Sequence, residues 1–332
     1  MASSTTPPVL SFPPQTFQKL SPSSYLLRHL QSTPPIRPSG RSPNVFREPT
    51  IHTNSLSHAH GSAVVRTGDT AVVCGVRGEI LSLTNGEGKA KGGVVVLRSS
   101  EDNDEGFVGE EDGGEGELRA RSLIVTNLEL GTGCSRDYHP GPPSDFAQTT
   151  TSRLHRLLLS TTSLISPESL RISDTHATEI ETKAYWVLYI DILCISLDGN
   201  ILDTAWASVI AALRSTRLPR AYWDADLEAV VCDPDLAKYT GLQLGQLAFT
   251  ASFAVISGVG DDGKSVILSD PDEFEESVCE ESVMVCIKEG GKIARIEKGG
   301  GLACGMEGLG ECVHRARNRF DVWERLVKSA LV

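Results

Sequence analysis

The sequence has no apolar run of about 18 residues, so it offers no candidate membrane-spanning helix. It has no CxxC pair. Its eight cysteines, at 74, 134, 194, 232, 279, 286, 304 and 312, are scattered, which gives neither zinc-ligand spacing nor a disulfide framework. Cys74 and Cys194 fall inside apolar strand patterns, and the set reads as reduced core thiols of a nuclear or cytosolic protein. No GxSxG is present, which removes the nucleophile elbow of an α/β-hydrolase. No GxxxxGK[ST] is present either, so Gly299-Gly300-Gly301 reads as a flexible lead-in to a helix rather than a phosphate loop. Positive charge is scarce: 31 Lys and Arg stand against 43 Asp and Glu, a net charge of −12. That excludes nucleic-acid binding over the whole surface and leaves room only for a local basic channel. The first 40 residues lack Asp and Glu and are rich in Ser, Thr and Pro. A targeting peptide shares that composition, but arginines are few and the prolines break any long amphipathic helix. Within it, Tyr25–Leu30 reads as one short docked helix.

What is present is an α+β pattern in a chain of 332 residues, 40% of them hydrophobic, enough for one large or two medium domains. Strands are predicted at Val45–Leu56, Gly61–Arg66 and Thr70–Glu79, the last two joined as a hairpin by Thr67-Gly68-Asp69. Residues 84–117 lose periodicity. Within them, 101–117 hold nine acids and five glycines in 17 residues, a composition expected to be a disordered surface insertion. A strand at Ser122–Leu130 precedes a helix from about Phe146 to Leu164, with Phe146, Thr150, Leu154, Leu157 and Leu158 on one side. A strand at Tyr185–Ile195 turns at Asp198-Gly199-Asn200 into a helix with Trp206, Val209, Ile210 and Leu213 at helical spacing. Further strands are predicted at Leu227–Cys232, Leu247–Ile256, Ser265–Leu268, Val283–Lys288 and Lys292–Glu297. The last helix carries Cys312, Ala316, Phe320, Trp323, Val327 and Leu331 on one face.

Candidate chemistry is thin. His58 and His60 place two imidazoles on one side of a strand, but no third ligand is near, and a half-exposed face is the simpler reading; no metal is assigned. Asp198 reads as a cap of the turn, and Asp203 as an acid in the first helical turn, where the dipole favours it.

Five blocks, in order, resemble the RNase PH superfamily. They are Arg37-Pro38-Ser39-Gly40-Arg41 followed by Phe46-Arg47; Gly61–Thr70; Pro140-Gly141-Pro142-Pro143; Trp186-Val187-Leu188 with Asp198–Asp203 and Ala211-Ala212-Leu213; and Ser269-Asp270-Pro271 with Glu275-Glu276. The resemblance implies an RNase PH-like fold with mixed sheets packed against helices. Its first part would be ribosomal protein S5 domain 2-like and its second part smaller. Residues 1–35 would then be an extension with a short helix, 36–220 the first domain with the insertion at about 84–117, and 221–332 the second domain.

The same resemblance bears on activity. Phosphorolytic relatives carry Gly-Thr-Arg after the Asp-Gly of the turn, where this chain has Asn200, Ile201 and Leu202. Their paired carboxylates match Glu276 and Ser282 here. Attack by phosphate on a phosphodiester brings two anions together and needs fixed cations, donors and carboxylates. Two aliphatic side chains and a serine cannot supply them. The Asp-Gly-Asn-Ile-Leu-Asp version of the turn is similar to ring subunits of the RNA exosome that lack a catalytic site.

No catalytic residue and no cofactor is therefore expected. The partners implied are other RNase PH-like ring subunits, RNA-binding cap subunits and RNA threading the central channel, with no membrane and no DNA. The implied role is support of 3′-to-5′ RNA processing and degradation, including rRNA maturation and mRNA turnover, in nucleus and nucleolus and also in cytoplasm. Candidate RNA contacts are Arg136, in a loop that faces the channel in relatives, and Arg214 and Arg217, which also suit the C-terminal end of a helix dipole. An active phosphate-dependent exoribonuclease and a free-standing small-molecule enzyme on the same fold remain the alternatives.

Overall fold

A computed structural model describes residues 13–83, 118, 121–136, 138–139, 141–160, 164–174, 181–224, 227–259, 264–301 and 304–330. The acidic segment 84–117, Pro140 and Leu331 lie outside the described residues. Two sheets organise the chain. The larger has β1 (Pro49–Thr53), β2 (Gly61–Thr67), β3 (Thr70–Ser82), β4 (Ile124–Leu130), β5 (Arg171–Asp174) and β6 (Glu181–Ser196). Its order is β1-β2-β3-β6-β4, with β5 also paired to β6. All pairs are antiparallel except β4 with β6, which are joined through α3 (Asp145–Ser160) as a parallel crossover requires. The strand predicted over Val45–Leu56 is shorter than its apolar run. Residues before Pro49 are held instead by side-chain bonds to the second half of the chain.

Strand β6 is the spine of this sheet. Its Leu188, Ile190, Ile192 and Cys194 are buried, while Leu193 and Ile195, pointing to the other face, are 41% and 54% exposed. Helix α3 covers the inner face with Ala147, Thr150, Leu154, Leu157 and Leu158. Phe146, expected on that side, is turned out, and Ala147 takes its place.

Helix α4 (Ile201–Ser215) follows the Asp198–Asn200 turn. A one-sided apolar stripe was predicted for it, but every residue except Arg214 is buried. The reason is its position between the large sheet and the smaller sheet. Small residues Ala205, Ala207, Ala211 and Ala212 let both approach. Its buried hydroxyls bond back to the helix itself, Ser208 Oγ to Ala205 O at 2.7 Å and Thr204 Oγ1 to Asn200 O at 3.3 Å.

The second sheet is antiparallel, in the order β12 (Lys264–Ser269), β11 (Ala248–Val259), β13 (Glu281–Lys288), β14 (Lys292–Gly300). Short ladders join β7 (Arg217–Leu218) to β10 (Thr240–Gly241), and β8 (Ala221–Asp224) to β9 (Ala229–Cys232). Trp206 Nε1 donates to Ala248 O at 2.7 Å and pins α4 to β11. On the opposite face of β11, Phe249 meets Phe320 and Trp323 of α6 (Met306–Ser329). Lys298, Gly299 and Gly300 continue strand β14 rather than loosening into a helix lead-in; Gly300 abuts the Glu280 carbonyl. Among the described residues, two helices rather than one precede the first motif: α1 (Pro14–Leu20) and α2 (Pro22–Leu30). Leu26 and Leu30 of α2 pack with Ala254, Ile256 and Leu268, and with Phe274 of α5 (Glu273–Val278).

Candidate functional site

The turn that would cradle phosphate is closed by the chain's own groups. Gly199 has φ +71° and Asn200 φ 51°. A Cβ on Gly199 would stand 2.4 Å from the backbone carbon of Asp272 and 2.6 Å from the Glu273 nitrogen, so only glycine fits both the left-handed backbone and the contact. The chain just before α5 thus lies directly on the turn.

Polar contacts seal this closure. Asn200 Nδ2 donates to Asp203 at 2.9 Å and to Asp270 at 2.7 Å. Asp203 also accepts from the amide and hydroxyl of Ser252 on β11, at 2.8 and 3.0 Å. Burial pushes the Asp203 carboxyl up, and the bonds from Asn200 and Ser252 pull it back only in part. Thr70 Oγ1 donates to Gly199 O at 2.8 Å and accepts from Asp198 N at 3.0 Å.

Two arginines from the N-terminal motifs complete the site. Arg47 donates to both Asp270 oxygens, at 2.9 and 2.8 Å, and reaches Asp198 at 3.2 Å. Burial alone would raise Asp270, but the Arg47 bonds and charge, with Asn200, hold it below the usual carboxylate range. Arg37 is buried and pairs with Glu275 at 3.1 Å, with Ser269 O and Pro43 O both at 2.6 Å. The second-half acids face these guanidinium groups because Asp272 and Glu275 form a reciprocal capping box that starts α5 there.

The predicted site residues fare unequally. Asn200, Ile201 and Leu202 are buried, the two aliphatic residues within the main core. Glu276 on α5 accepts the Asn200 amide at 2.8 Å, so one half of the carboxylate pair does meet the turn. Glu276 is exposed as a residue, yet its carboxyl is drawn against the turn. Burial pushes it up to about 7, against the pull of the Asn200 amide and Arg47. Ser282 is exposed on β13, in register between Ala254 and Gly299. Asp198 ion-pairs with Arg47 rather than merely capping the turn, and Asp203 is a buried crosslink to β11.

The arginines named as RNA contacts do not form one patch. Arg136 is exposed in the loop after β4, where neighbouring Ser135 Oγ donates to Glu273 at 2.6 Å, close to the start of α4. Arg214 is half-buried in the last turn of α4. Arg217 lies beyond the helix, in β7, which corrects its placement at the helix end. The 15 residues of α4 rise about 22 Å, which separates the two ends. His60 accepts the Gly78 amide on Nδ1 at 3.0 Å and packs against Trp186, and burial lowers its pKa. It is a packing residue.

Sequence reasoning missed the pairing of Arg37 and Arg47 with Glu275 and Asp270, although all four sit in the quoted motifs. It also missed Arg319, which is buried on α6. The signal was there: position 319 falls on the apolar stripe, three residues after Ala316 and four before Trp323.

The family model described as 3′ exoribonuclease family, domain 1 (RNase PH) matches residues 45–219. Exosome complex component rrp43 of Schizosaccharomyces pombe is 36% identical over 311 residues, covering 94% of this chain and 97% of the relative. Exosome complex component Rrp42 of Methanothermobacter thermautotrophicus is 29% identical over 264 residues, covering 80% and 79%. Among solved structures, the Archaeoglobus fulgidus exosome with RNA bound to the active site matches with a TM-score of 0.62 at 21% identity, covering 91% of this chain and 96% of that one. An archaeal exosome core matches with a TM-score of 0.62 at 20% identity, covering 96% and 100%. At that identity these structures attest the fold.

Proposed function

Because this chain belongs to the RNase PH family of 3′ exoribonucleases, we propose that it is a catalytically silent subunit of an exosome core ring, of the rrp43 kind. The observation that carries the silent half of this reading is the sealed turn. A phosphorolytic site needs cationic donors facing an incoming anion. Here the Arg47 guanidinium at the turn is consumed by Asp270 and Asp198, and Asn200 spends its amide donors on Asp203 and Asp270. Ile201 and Leu202 offer no donor in place of the family's Thr-Arg. Burial favours the protonated, uncharged Glu276, and Ser282 adds no negative charge for a metal.

The ring half rests on the relatives, which are named as exosome components and align over most of their own lengths. In this reading the chain helps close a ring of similar subunits under RNA-binding caps. RNA passes through the channel beside Arg136 towards a separate nuclease, in rRNA maturation and mRNA turnover. Eight free thiols among the described residues suit a reducing compartment, in keeping with nucleus, nucleolus and cytoplasm. Imaging of the tagged native chain tests that placement.

The test of silence incubates the full chain with 3′-labelled RNA, phosphate and magnesium. No nucleoside diphosphate should be released above a heat-killed control. Release that requires phosphate would overturn the reading in favour of an active exoribonuclease. Purification of the native chain with its companions tests the ring. A chain recovered without RNase PH-like subunits would instead point to a free-standing protein.

A further inference from the structure

Helix α6 and the segment leading into β1 leave a groove of about 690 Å³ between them. Arg319 lines it, only 7% exposed. Its guanidinium carbon lies 5.0 Å from the Phe46 ring centroid and 4.9 Å from that of Trp323. The two aromatic contacts hold the group in place by its charge and plane. They leave its N–H donors unused: among the described residues, no hydrogen bond reaches them and no carboxylate lies at ion-pair distance. A guanidinium carries five donors, and none of the Arg319 nitrogens is among the fully buried groups without a partner, so its donors open onto the groove. Asp270 and Asp203 act on it from farther inside, offsetting only part of the burial that lowers its pKa.

Each of the other guanidinium groups of the groove makes at least one hydrogen bond. Arg315 bonds Glu311, Ile267 O and Ser269 Oγ, and Arg325 bonds Asp321 O. Arg325 keeps spare donors as well, but it is exposed and water meets them; Arg319 is the buried arginine of the groove, and among the described residues no hydrogen bond reaches it. Phe46, Val322 and Leu326 give the groove an apolar side, while Glu48 and Glu311 add negative charge to its lining.

We propose that this groove binds a peptide segment of a partner protein through one carboxylate, an Asp or Glu side chain or a chain terminus, seated on Arg319 with an apolar neighbour against Phe46, Val322 and Leu326. The planar fork of a guanidinium matches a carboxylate in two parallel bonds. A nucleic-acid backbone fits less well, because a polyanion meets the net charge of −12 at every phosphate and brings nothing for Phe46, Val322 and Leu326, whereas a peptide brings one carboxylate with an apolar neighbour. This proposal rests on the groove alone and stands or falls apart from the ring reading.

The test selects random displayed peptides on the immobilised full chain, with any subunits that co-purify. Enriched peptides should carry an acid beside an apolar residue, and the acid-to-amide version of the best peptide should bind at least tenfold more weakly. Arg319→Met should lose binding to the same degree. Asn318→Glu places a negative charge at an exposed position of the groove without touching the core, so it decides the matter even if Arg319→Met folds poorly. No enrichment, a neutral or basic motif, or binding indifferent to Asn318→Glu would overturn the proposal. So would an oligoribonucleotide that binds at Arg319 where acidic peptides do not.

Discussion

Arg47 and Asp270, 223 residues apart in sequence, form a two-bond ion pair at 2.9 and 2.8 Å with the carboxylate fully buried. The Arg47 backbone amide adds a third bond to the same carboxylate at 2.8 Å. One pair thereby ties the segment before β1 to the segment before α5, across the Asp198–Asn200 turn. A buried pair is weak as a net source of stability, but removing one partner strands the other charge. Asp270→Asn or Arg47→Met should each destabilise the fold by about 3–5 kcal/mol. Joint replacement by Met and Leu should cost less than the sum of the singles. Urea unfolding at low protein concentration reads this; single variants within about 0.5 kcal/mol of the parent would show that the pair does not hold the two halves.

Glu276 gives the pH dependence its sign. Its folded carboxyl is pushed up to about 7, above its unfolded value. At pH 4 the folded carboxyl is protonated and the unfolded one mostly so, and the group is nearly neutral to stability. Between the unfolded value and about 7 the unfolded chain sheds its proton first, so stability falls as pH rises. Glu276→Gln keeps an oxygen for the Asn200 amide and removes the titration. The variant should match the parent near pH 4 and melt at higher temperature near pH 8. Asp270, depressed by Arg47, works in the opposite direction: its contribution is present above the unfolded value and fades as acid protonates it. An equal melting temperature for parent and Glu276→Gln across this range would contradict the assignment.

The turn and its helix were legible because glycine, the left-handed Asn200 and apolar spacing are local signals. The identity of the fold was legible because five motif blocks kept their order. The depth of α4 was not. Residues such as Ser208, Thr204 and Asp203 look solvent-facing in a helix, and only a sheet on each side buries them. The same applies to Arg37 and Arg47. Charged residues near a chain start read as exposed, and their partners lie more than 200 residues away, where no local rule reaches. Arg319 was hidden by its charge although its position sat on the apolar stripe. Of the candidate site, the loss of donors at Ile201 and Leu202 was readable. That the side-chain donors of Arg47 and Asn200 are tied up was not, since hydrogen bonds such as Asn200 to Asp270 depend on tertiary approach.

That burial also changes what a rescue experiment means. Leu202 is 5% exposed. Leu202→Arg would bring a charge into a packed interior rather than restore a phosphate ligand, and burying an unpaired charge is costly. The variant should gain no phosphorolysis and should lose soluble yield. Detectable nucleoside diphosphate release from a well-folded Leu202→Arg chain would show that the turn opens more readily than its seal implies.

RNA contact, if it follows the ring reading, should separate the three arginines. Arg136 is exposed beside the start of α4, whereas Arg214 is half-buried at the far end and Arg217 lies in β7. In the assembled complex, Arg136→Glu should weaken crosslinking to single-stranded RNA and reduce the salt slope of binding by about one. Arg214→Glu and Arg217→Glu should leave both near the parent. Equal losses from all three would place RNA along α4 and defeat the separation.

The last expectation concerns assembly. The face of the large sheet opposite α3 and α4 leaves Leu193 and Ile195 of β6 open, and Val125 of the neighbouring strand is 38% exposed. Among the described residues, strand β4 pairs on one side only. A strand with one open edge beside exposed apolar side chains is prone to nonspecific association, and a partner that covers them stabilises the fold by mass action. A net charge of −12 also sets identical copies against one another, which favours a mixed ring over a homo-oligomer. Expressed alone, the chain should form ill-defined oligomers, and replacing Leu193 and Ile195 together with Glu should raise its soluble yield. Co-expressed with other RNase PH-like exosome subunits, the parent should elute as one defined heteromer. A lone parent chain that elutes as a sharp monomer and ignores those subunits would refute the ring reading, whatever the outcome of the nuclease assay.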